Sequence, residues 1–301
     1  MKIRTFSDAM REQFGTKVYR LSLTAGTTCP NRDGTCGTGG CTFCSAGGSG
    51  DFAAPLLPIR EQVAAAKRRV DGKFPASIPP GSRRYLAYFQ AYTTTYGDPE
   101  ALGKIFREAA SIPEICGLSV ATRPDCLPDR MVEILSEINQ EKPVFVELGL
   151  QTIHEITAKR VNRGYPLPVF EDACRRLSAA GLPVVVHVIL GLPGETEEMM
   201  LDTVRYLAGH RPPVSGVKLQ LLHVLRGTEM GREYERHPFP LFTMEEYTDL
   251  VVRCLQILPP EMVIHRMTGD GPKRLLIAPL WSGDKKRVMN LLSRKIAAAE
   301  R

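Results

Sequence analysis

The chain has 301 residues, 43% hydrophobic and 24% charged, with 39 Lys and Arg against 33 Asp and Glu for a net charge of +6. That length and apolar share suit one large α/β domain or two ordinary ones, and they exclude a membrane-spanning chain, because the most apolar run, 184–192, is broken by His187 and is too short to cross a bilayer. Eight cysteines stand behind an N-terminus, Met1-Lys2-Ile3-Arg4-Thr5, that lacks the apolar stretch of a secretion signal, so a disulfide framework is not expected and a cytoplasmic location is.

Along the chain, strand-like apolar runs fall at 18–24, 85–91, 117–121, 143–150, 184–190 and 216–222. Helical patterns lie between them at 60–71, 98–110, 129–140, 168–180 and 196–208, with a further helix at 244–257. Asp98-Pro99 offers an N-cap with proline at the first helical position. Gly181 suits a helix end, and Thr243 with Glu246 forms a capping box. The stretches 72–82, 210–214 and 236–242 read as loops, and no internal repeat is visible. Six βα repeats imply a parallel sheet with right-handed crossovers. An open doubly wound sheet and a partial barrel remain alternatives on this pattern, and both gather ligands at the carboxyl ends of the strands.

The loop after the first strand carries the strongest chemical signal. It reads Thr28-Cys29-Pro30-Asn31-Arg32-Asp33-Gly34, passes through Gly37-Thr38-Gly39-Gly40, and closes as Cys41-Thr42-Phe43-Cys44. Three thiolates can hold three irons of a cubane cluster and leave the fourth open. Glycines let the backbone approach such a cluster closely, and Phe43 would shield it from water. Cys36 makes a fourth thiol available, so structural zinc is a second reading. With one close Cys pair instead of the two usual in zinc knuckles, the spacing favours iron–sulfur.

This loop resembles that of the radical S-adenosylmethionine (SAM) superfamily, in particular its YhcC-like branch, which is similar to the radical SAM domain of the Elongator catalytic subunit. Further matches are Tyr88-Phe89-Gln90-Ala91-Tyr92-Thr93, Ala121-Thr122-Arg123-Pro124-Asp125, Glu147-Leu148-Gly149-Leu150-Gln151-Thr152 and Gly191-Leu192-Pro193-Gly194-Glu195-Thr196. The resemblance implies an α/β fold, a partial (β/α)6 TIM barrel with a short C-terminal extension. The expected division is an N-terminal segment 1–17, a barrel 18–258 and a basic extension 259–301. It also implies a [4Fe–4S] cluster on Cys29, Cys41 and Cys44, with Cys36 outside the ligand set. The activity implied is cleavage of SAM to a 5′-deoxyadenosyl radical that abstracts hydrogen from a second substrate. An electron donor such as flavodoxin or ferredoxin would serve it.

Site residues follow from the same likeness. Gln90, Ala91, Tyr92 and Thr93 stand where many relatives bind the SAM amino group through an acid that this chain lacks. Gln151 and Arg163 match a SAM-binding glutamine and arginine of the coproporphyrinogen-type relatives, and an arginine fork suits the SAM carboxylate. His187 replaces an aspartate that holds ribose, and Ile189 to Gly191 resembles the strand beside adenine. Phe43 and Thr122 complete the expected SAM surroundings. Glu147, expected inside the barrel, must pair with a cation such as Lys218 or act on substrate. Lys218 and His223 lie on the substrate side, so these three are the candidate catalytic residues.

The last 36 residues carry nine Lys or Arg against three acids, a local +6 equal to the net charge of the chain. Either this is a solvated helix or it grips a polyanion such as RNA. With the Elongator likeness, the leading expectation is action on the C5 substituent of a tRNA wobble uridine, for example carboxymethylaminomethyl to aminomethyl. The alternatives are radical chemistry on a small metabolite or protein side chain, and a non-enzymatic Fe–S or RNA-binding module.

Overall fold

The computed structural model describes residues 3–48, 50–269 and 271–299. Met1 and Lys2, read above with the N-terminus, and Asp270, Glu300 and Arg301, counted in the C-terminal charge, lie outside the described residues. In chain order the elements are β1 (Arg4–Thr5), α1 (Phe6–Phe14), β2 (Val18–Leu23), α2 (Ile59–Val70), β3 (Arg84–Phe89), α3 (Pro99–Ser111), β4 (Ile115–Thr122), α4 (Asp129–Glu141) and β5 (Val144–Gln151). Then come α5 (Glu155–Arg160), α6 (Leu167–Ala179), β6 (Val184–Leu190), α7 (Glu197–Gly209), β7 (Gly216–Leu221), β8 (Val224–Leu225), α8 (Glu229–Arg236), α9 (Met244–Ile257), β9 (Val263–Arg266), β10 (Leu276–Ala278) and α10 (Lys285–Ala299).

Eight strands form a curled parallel half-barrel in the order β1-β9-β7-β6-β5-β4-β3-β2. The six strands expected from the sequence are its consecutive run β2 to β7, and β9 and β1 extend it beyond β7. β8 and β10 pair separately as an antiparallel ribbon.

The strand pleat divides the sheet into two chemically different faces. Leu21, Ala87, Phe89, Leu118, Val120, Val146, Leu148, Val186, Val188 and Leu219 point outward and join one apolar core with the helices. On the other face, the register sets Ser22 beside Tyr88 and Tyr88 beside Ser119, and it sets His187 beside Lys218 and Lys218 beside Arg266. The barrel interior is therefore polar.

The helix ends have local causes. Asp98 accepts from the Ala101 amide at 2.8 Å with Pro99 beside it, and Thr243 and Glu246 exchange both bonds of a capping box. Gly181 takes a positive φ of 71° just past α6. A second capping box, Thr5 with Asp8, opens α1 as the chain leaves β1. α1 then carries the chain from one edge of the sheet to the other, since β1 and β2 are its two edges. There the Phe6 ring lies 3.6 Å from the Arg20 guanidinium of β2 and 5.2 Å from the His265 ring of β9. Arg20 in turn contacts His265 Nδ1 at 2.8 Å. These contacts draw the two sides of the curled sheet together. No helix among the described residues is long and apolar enough to cross a membrane.

Candidate active site

The loop from β2 to α2 lies over the carboxyl ends of the strands, held by polar side chains that reach backbone carbonyls. Arg32 donates to Ser45 O at 2.6 Å and to Cys44 O at 3.2 Å. Asn31 donates to Asn162 O at 2.6 Å, and Asn162 returns a bond to Gly40 O at 2.8 Å. Tyr92, at φ 56°, donates from its hydroxyl to Ala46 O at 2.6 Å. Two glycines are required by this packing. Gly40 has φ +82° and any Cβ there would strike Arg32, while Gly48 has φ +53° and its Cβ would run into the Tyr92 ring.

Cys29, Cys41 and Cys44 line one inner cavity together with Phe43, Gln90, Tyr92, Thr93, Thr122, Glu147, Gln151, Arg163 and His187. Cys36 is exposed and lines neither this cavity nor its neighbour. Among the described residues no three His, Cys, Asp or Glu side chains converge as ligands of a single ion. A hydrogen bond with Cys44 and then burial hold the Cys41 thiol well above its ordinary range, so a cluster must displace its proton on binding.

Gln151 ends β5 at φ 67°, where the β5–β6 register shifts between Gly149 and Gln151. A positive φ in a non-glycine residue at a strand irregularity is a feature of functional sites. Gln151 Oε1 is buried and has no hydrogen-bond partner. A buried acceptor of this kind is costly unless a ligand donates to it. The SAM amino group is such a donor, so thiol set and orphaned amide fit the cluster and its substrate together.

Arg163 is placed differently from a free carboxylate clamp. It is fully buried. Its guanidinium donates to Leu150 O at 3.0 Å, Thr152 O at 2.7 Å and Tyr165 O at 3.0 Å, and it pairs with Glu155 at 3.2 Å. It thereby fixes the backbone that carries Gln151. Arg123, which the sequence places at a strand end without assigning it a role, lies beside it on the cavity wall. It makes a two-pronged pair with Asp125 at 2.9 and 2.7 Å and donates to Arg163 O at 2.8 Å. Burial works against the Arg123 charge, but Asp125 outweighs it and holds the guanidinium firmly protonated. The available signal was an arginine immediately after a strand end with an acid two residues on.

Below the inner cavity lies an ionic network. Glu147 accepts from Ser119 Oγ at 2.5 Å, meets His187 Nε2 at 2.7 Å and pairs with Lys218, which also reaches Tyr88 OH at 3.0 Å. Glu147 and Lys218 are essentially inaccessible. Burial opposes the Glu147 charge, yet Lys218, His187 and Arg20 outweigh it and hold the carboxyl well below its usual range. Burial pulls Lys218 down to about 7 in spite of Glu147. Burial and then Lys218 pull His187 down to about 4. Of the two fates open to Glu147, pairing with Lys218 is the one seen.

An outer cavity adjoins the inner one, sharing Phe43, Cys44, Tyr88, Gln90, Gln151 and His187, and adds Ile189, Gln220, His223 and Arg266. Three expected residues line neither. Ala91 is buried with its Cβ against Gly50, Lys218 forms the floor, and Gly191 borders a third, apolar cavity with Phe239 and Phe242. Gln220 and Arg266 were missed, Arg266 because it ends a strand too short to show a period.

Residues 28–207 match the Radical SAM superfamily, and residues 214–298 match the Radical_SAM C-terminal domain. The chain belongs to the radical SAM superfamily. Members of this family are enzymes that use a [4Fe–4S] cluster and SAM. Protein YtqA of Bacillus subtilis is 41% identical over 296 residues, covering 98% of this chain and 89% of YtqA. Protein YhcC of Escherichia coli is 37% identical over 280 residues, covering 93% of this chain and 87% of YhcC. The fold resembles that of archaeal Methanocaldococcus infernus Elp3 with its N-terminus deleted, at a TM-score of 0.66 and 18% identity. That match covers 92% of this chain but 63% of the other, so the chain spans less than two thirds of that protein.

Proposed function

We propose that this radical SAM enzyme acts on tRNA, at the C5 substituent of a wobble uridine, converting carboxymethylaminomethyl to aminomethyl. The observation that carries the reading is the basic rim of the outer cavity. Leu225, Gly271 and Pro272 line that cavity, and the residues that follow them, Arg226, Lys273 and Arg274, are exposed. The Arg226 amide bonds Leu275 O at 2.7 Å, which holds the two basic segments side by side. Phosphates of a polyanion are what such a rim recognises, and the fold-level likeness to Elp3 points the same way.

Cys29, Cys41 and Cys44 would hold the cluster, and Gln151 with the strand end Gln90–Thr93 would receive SAM beside it. When bound, these groups supply one-electron chemistry that would remove a hydrogen atom from the carboxymethyl carbon. Return of a second electron from that carbon to the cluster would leave an imine, and water would cleave its C–N bond to release glyoxylate and leave the aminomethyl group. The chain's own part is to orient the reacting groups at contact distance and to exclude water with Phe43, Tyr88 and Ile189. Glu147, Lys218 and His187 would hold protons at the boundary of the two cavities, and His223 would face the substrate. An electron donor of the flavodoxin or ferredoxin class would serve the cluster.

The test is a comparison of modified nucleosides in tRNA from cells with the gene, without it, and with a Cys29→Ala allele. Carboxymethylaminomethyl nucleoside should accumulate in the last two. An identical nucleoside profile in all three would point to a small-metabolite or protein substrate instead.

A further inference from the structure

Among the described residues, the outer cavity is lined by a guanidinium, Arg266, that has no carboxylate paired with it. Arg266 ends β9 and turns into this cavity, and its guanidinium makes no hydrogen bond among the described residues. Its charge is felt at Arg20, His187 and Lys218, each of which it pushes toward the neutral form. Arg20 and Lys218 are themselves buried or partly so beneath it, on β2 and β7. Among the described residues, the carboxylate of this network is Glu147, already engaged by Lys218, His187 and Ser119 and so not free to pair with Arg266. Tyr88 does not help, since burial and then Glu147 push its hydroxyl up and keep it neutral. Asp51 also lines the cavity, but on the cysteine-loop side, where it accepts from Ser45 Oγ at 2.6 Å.

We propose that Arg266, with the Gln220 amide beside it, is an anion subsite that takes a carboxylate of the second substrate. This deepens the function proposed above and rests on it. A carboxymethylamino group ends in a carboxylate one carbon from its amine, and an arginine fork meets a carboxylate with two parallel bonds. Placing that anion against Arg266, which lines the cavity, offsets a charge that low-dielectric surroundings make costly. Arg266 and Gln220 line the outer cavity and not the inner one, where the three cluster cysteines sit. The subsite is thus separate from the place where SAM's own carboxylate meets the cluster. Gln151 and Phe43 line the outer cavity with Arg266 and border the inner one as well, so a substrate held at the end of β9 shares a cavity with residues of the cluster side.

The test uses cluster-loaded protein with SAM, and two tRNAs that differ only in carrying carboxymethylaminomethyl or aminomethyl at the wobble uridine. Wild type should bind the carboxylate-bearing tRNA about tenfold or more tighter, the loss expected for one charge-assisted pair. Arg266→Gln should erase that preference, Arg266→Lys should keep part of it, and SAM affinity should stay unchanged in both. Thermal midpoints establish that the variants are folded. A preference that survives in Arg266→Gln overturns the subsite. An equal loss for both tRNAs overturns it too, since it means that Arg266 meets a backbone phosphate. A parallel fall in SAM affinity overturns it by assigning the anion to SAM, and so does a wild type that binds both tRNAs equally. If wild type binds neither tRNA, the tRNA reading fails, and the subsite is judged with N-methylglycine. A rise in the thermal midpoint of wild type but not of Arg266→Gln supports the subsite, and no rise in either overturns it.

Discussion

Gln151 holds a buried amide oxygen that nothing in the protein satisfies. Such an atom weakens the ligand-free protein and becomes useful when a ligand donates to it. Gln151→Leu should therefore leave the thermal midpoint of the apoprotein unchanged or raise it, while SAM binding weakens by about 1.5–3 kcal/mol. Titration calorimetry with SAM reads this directly, and an unchanged dissociation constant would remove Gln151 from the SAM site. Lys218 makes a pH-dependent prediction of opposite kind. Burial brings it from 10.5 to about 7, so across that interval the unfolded chain holds a proton that the folded chain has released. Stability then rises with pH over this window, because the unfolded state binds more protons. The difference in unfolding free energy between wild type and Lys218→Met should grow from about pH 7 to about pH 9. A flat difference would mean that Glu147 keeps Lys218 protonated throughout. Sequence made the cysteines and Gln151 legible because their spacing and strand-end context are local. It did not show the bonds that hold Arg163, because three of its partners are backbone carbonyls that no side-chain pattern records.

At the scale of elements, β2 to β7 and the helices between them could be read because each presents enough residues to show its period. β1, with two residues, and β9, with four, could not. Their place in the sheet follows from pairing with each other and with β7, a nonlocal fact. The local signs of α1 were the Thr5–Asp8 capping box and the left-handed C-cap Gly15. α1 matters because Phe6 bridges Arg20 and His265 across the two sides of the sheet. Phe6→Ala removes a half-buried ring and its stacking against the Arg20 guanidinium, and should lower the unfolding free energy by about 2 kcal/mol. Urea denaturation checks this, and a change within experimental error would mean that α1 contributes little to holding the sheet edges.

At the scale of the whole molecule, the basic residues of α10 sit on the outside of the barrel. Lys285, Lys286 and Arg287 are exposed, while Leu292 anchors the helix in the core and Lys295 pairs with Asp249 of α9 at 2.6 Å. Replacing Lys285, Lys286 and Arg287 with Gln should weaken tRNA binding and flatten its salt dependence by roughly 0.7–0.9 in log–log slope per lost phosphate contact. SAM cleavage without tRNA should persist. No measurable tRNA affinity at low salt in wild type with SAM present would leave α10 as a solvated face. Strand β1, drawn from the first residues, aligns with Val263 and Ile264 near the far end of the chain. On the ribosome the docking surface for β1 cannot exist until β9, Val263–Arg266, has emerged, whereas β2 and the cysteine loop emerge soon after β1 itself. A long interval of synthesis therefore separates the two, at roughly 5–20 residues per second. Late in that interval the edge of β7 that β9 later covers would still be unpaired, whereas every residue that lines the cysteine cavity, from Cys29 to His187, would already have been made.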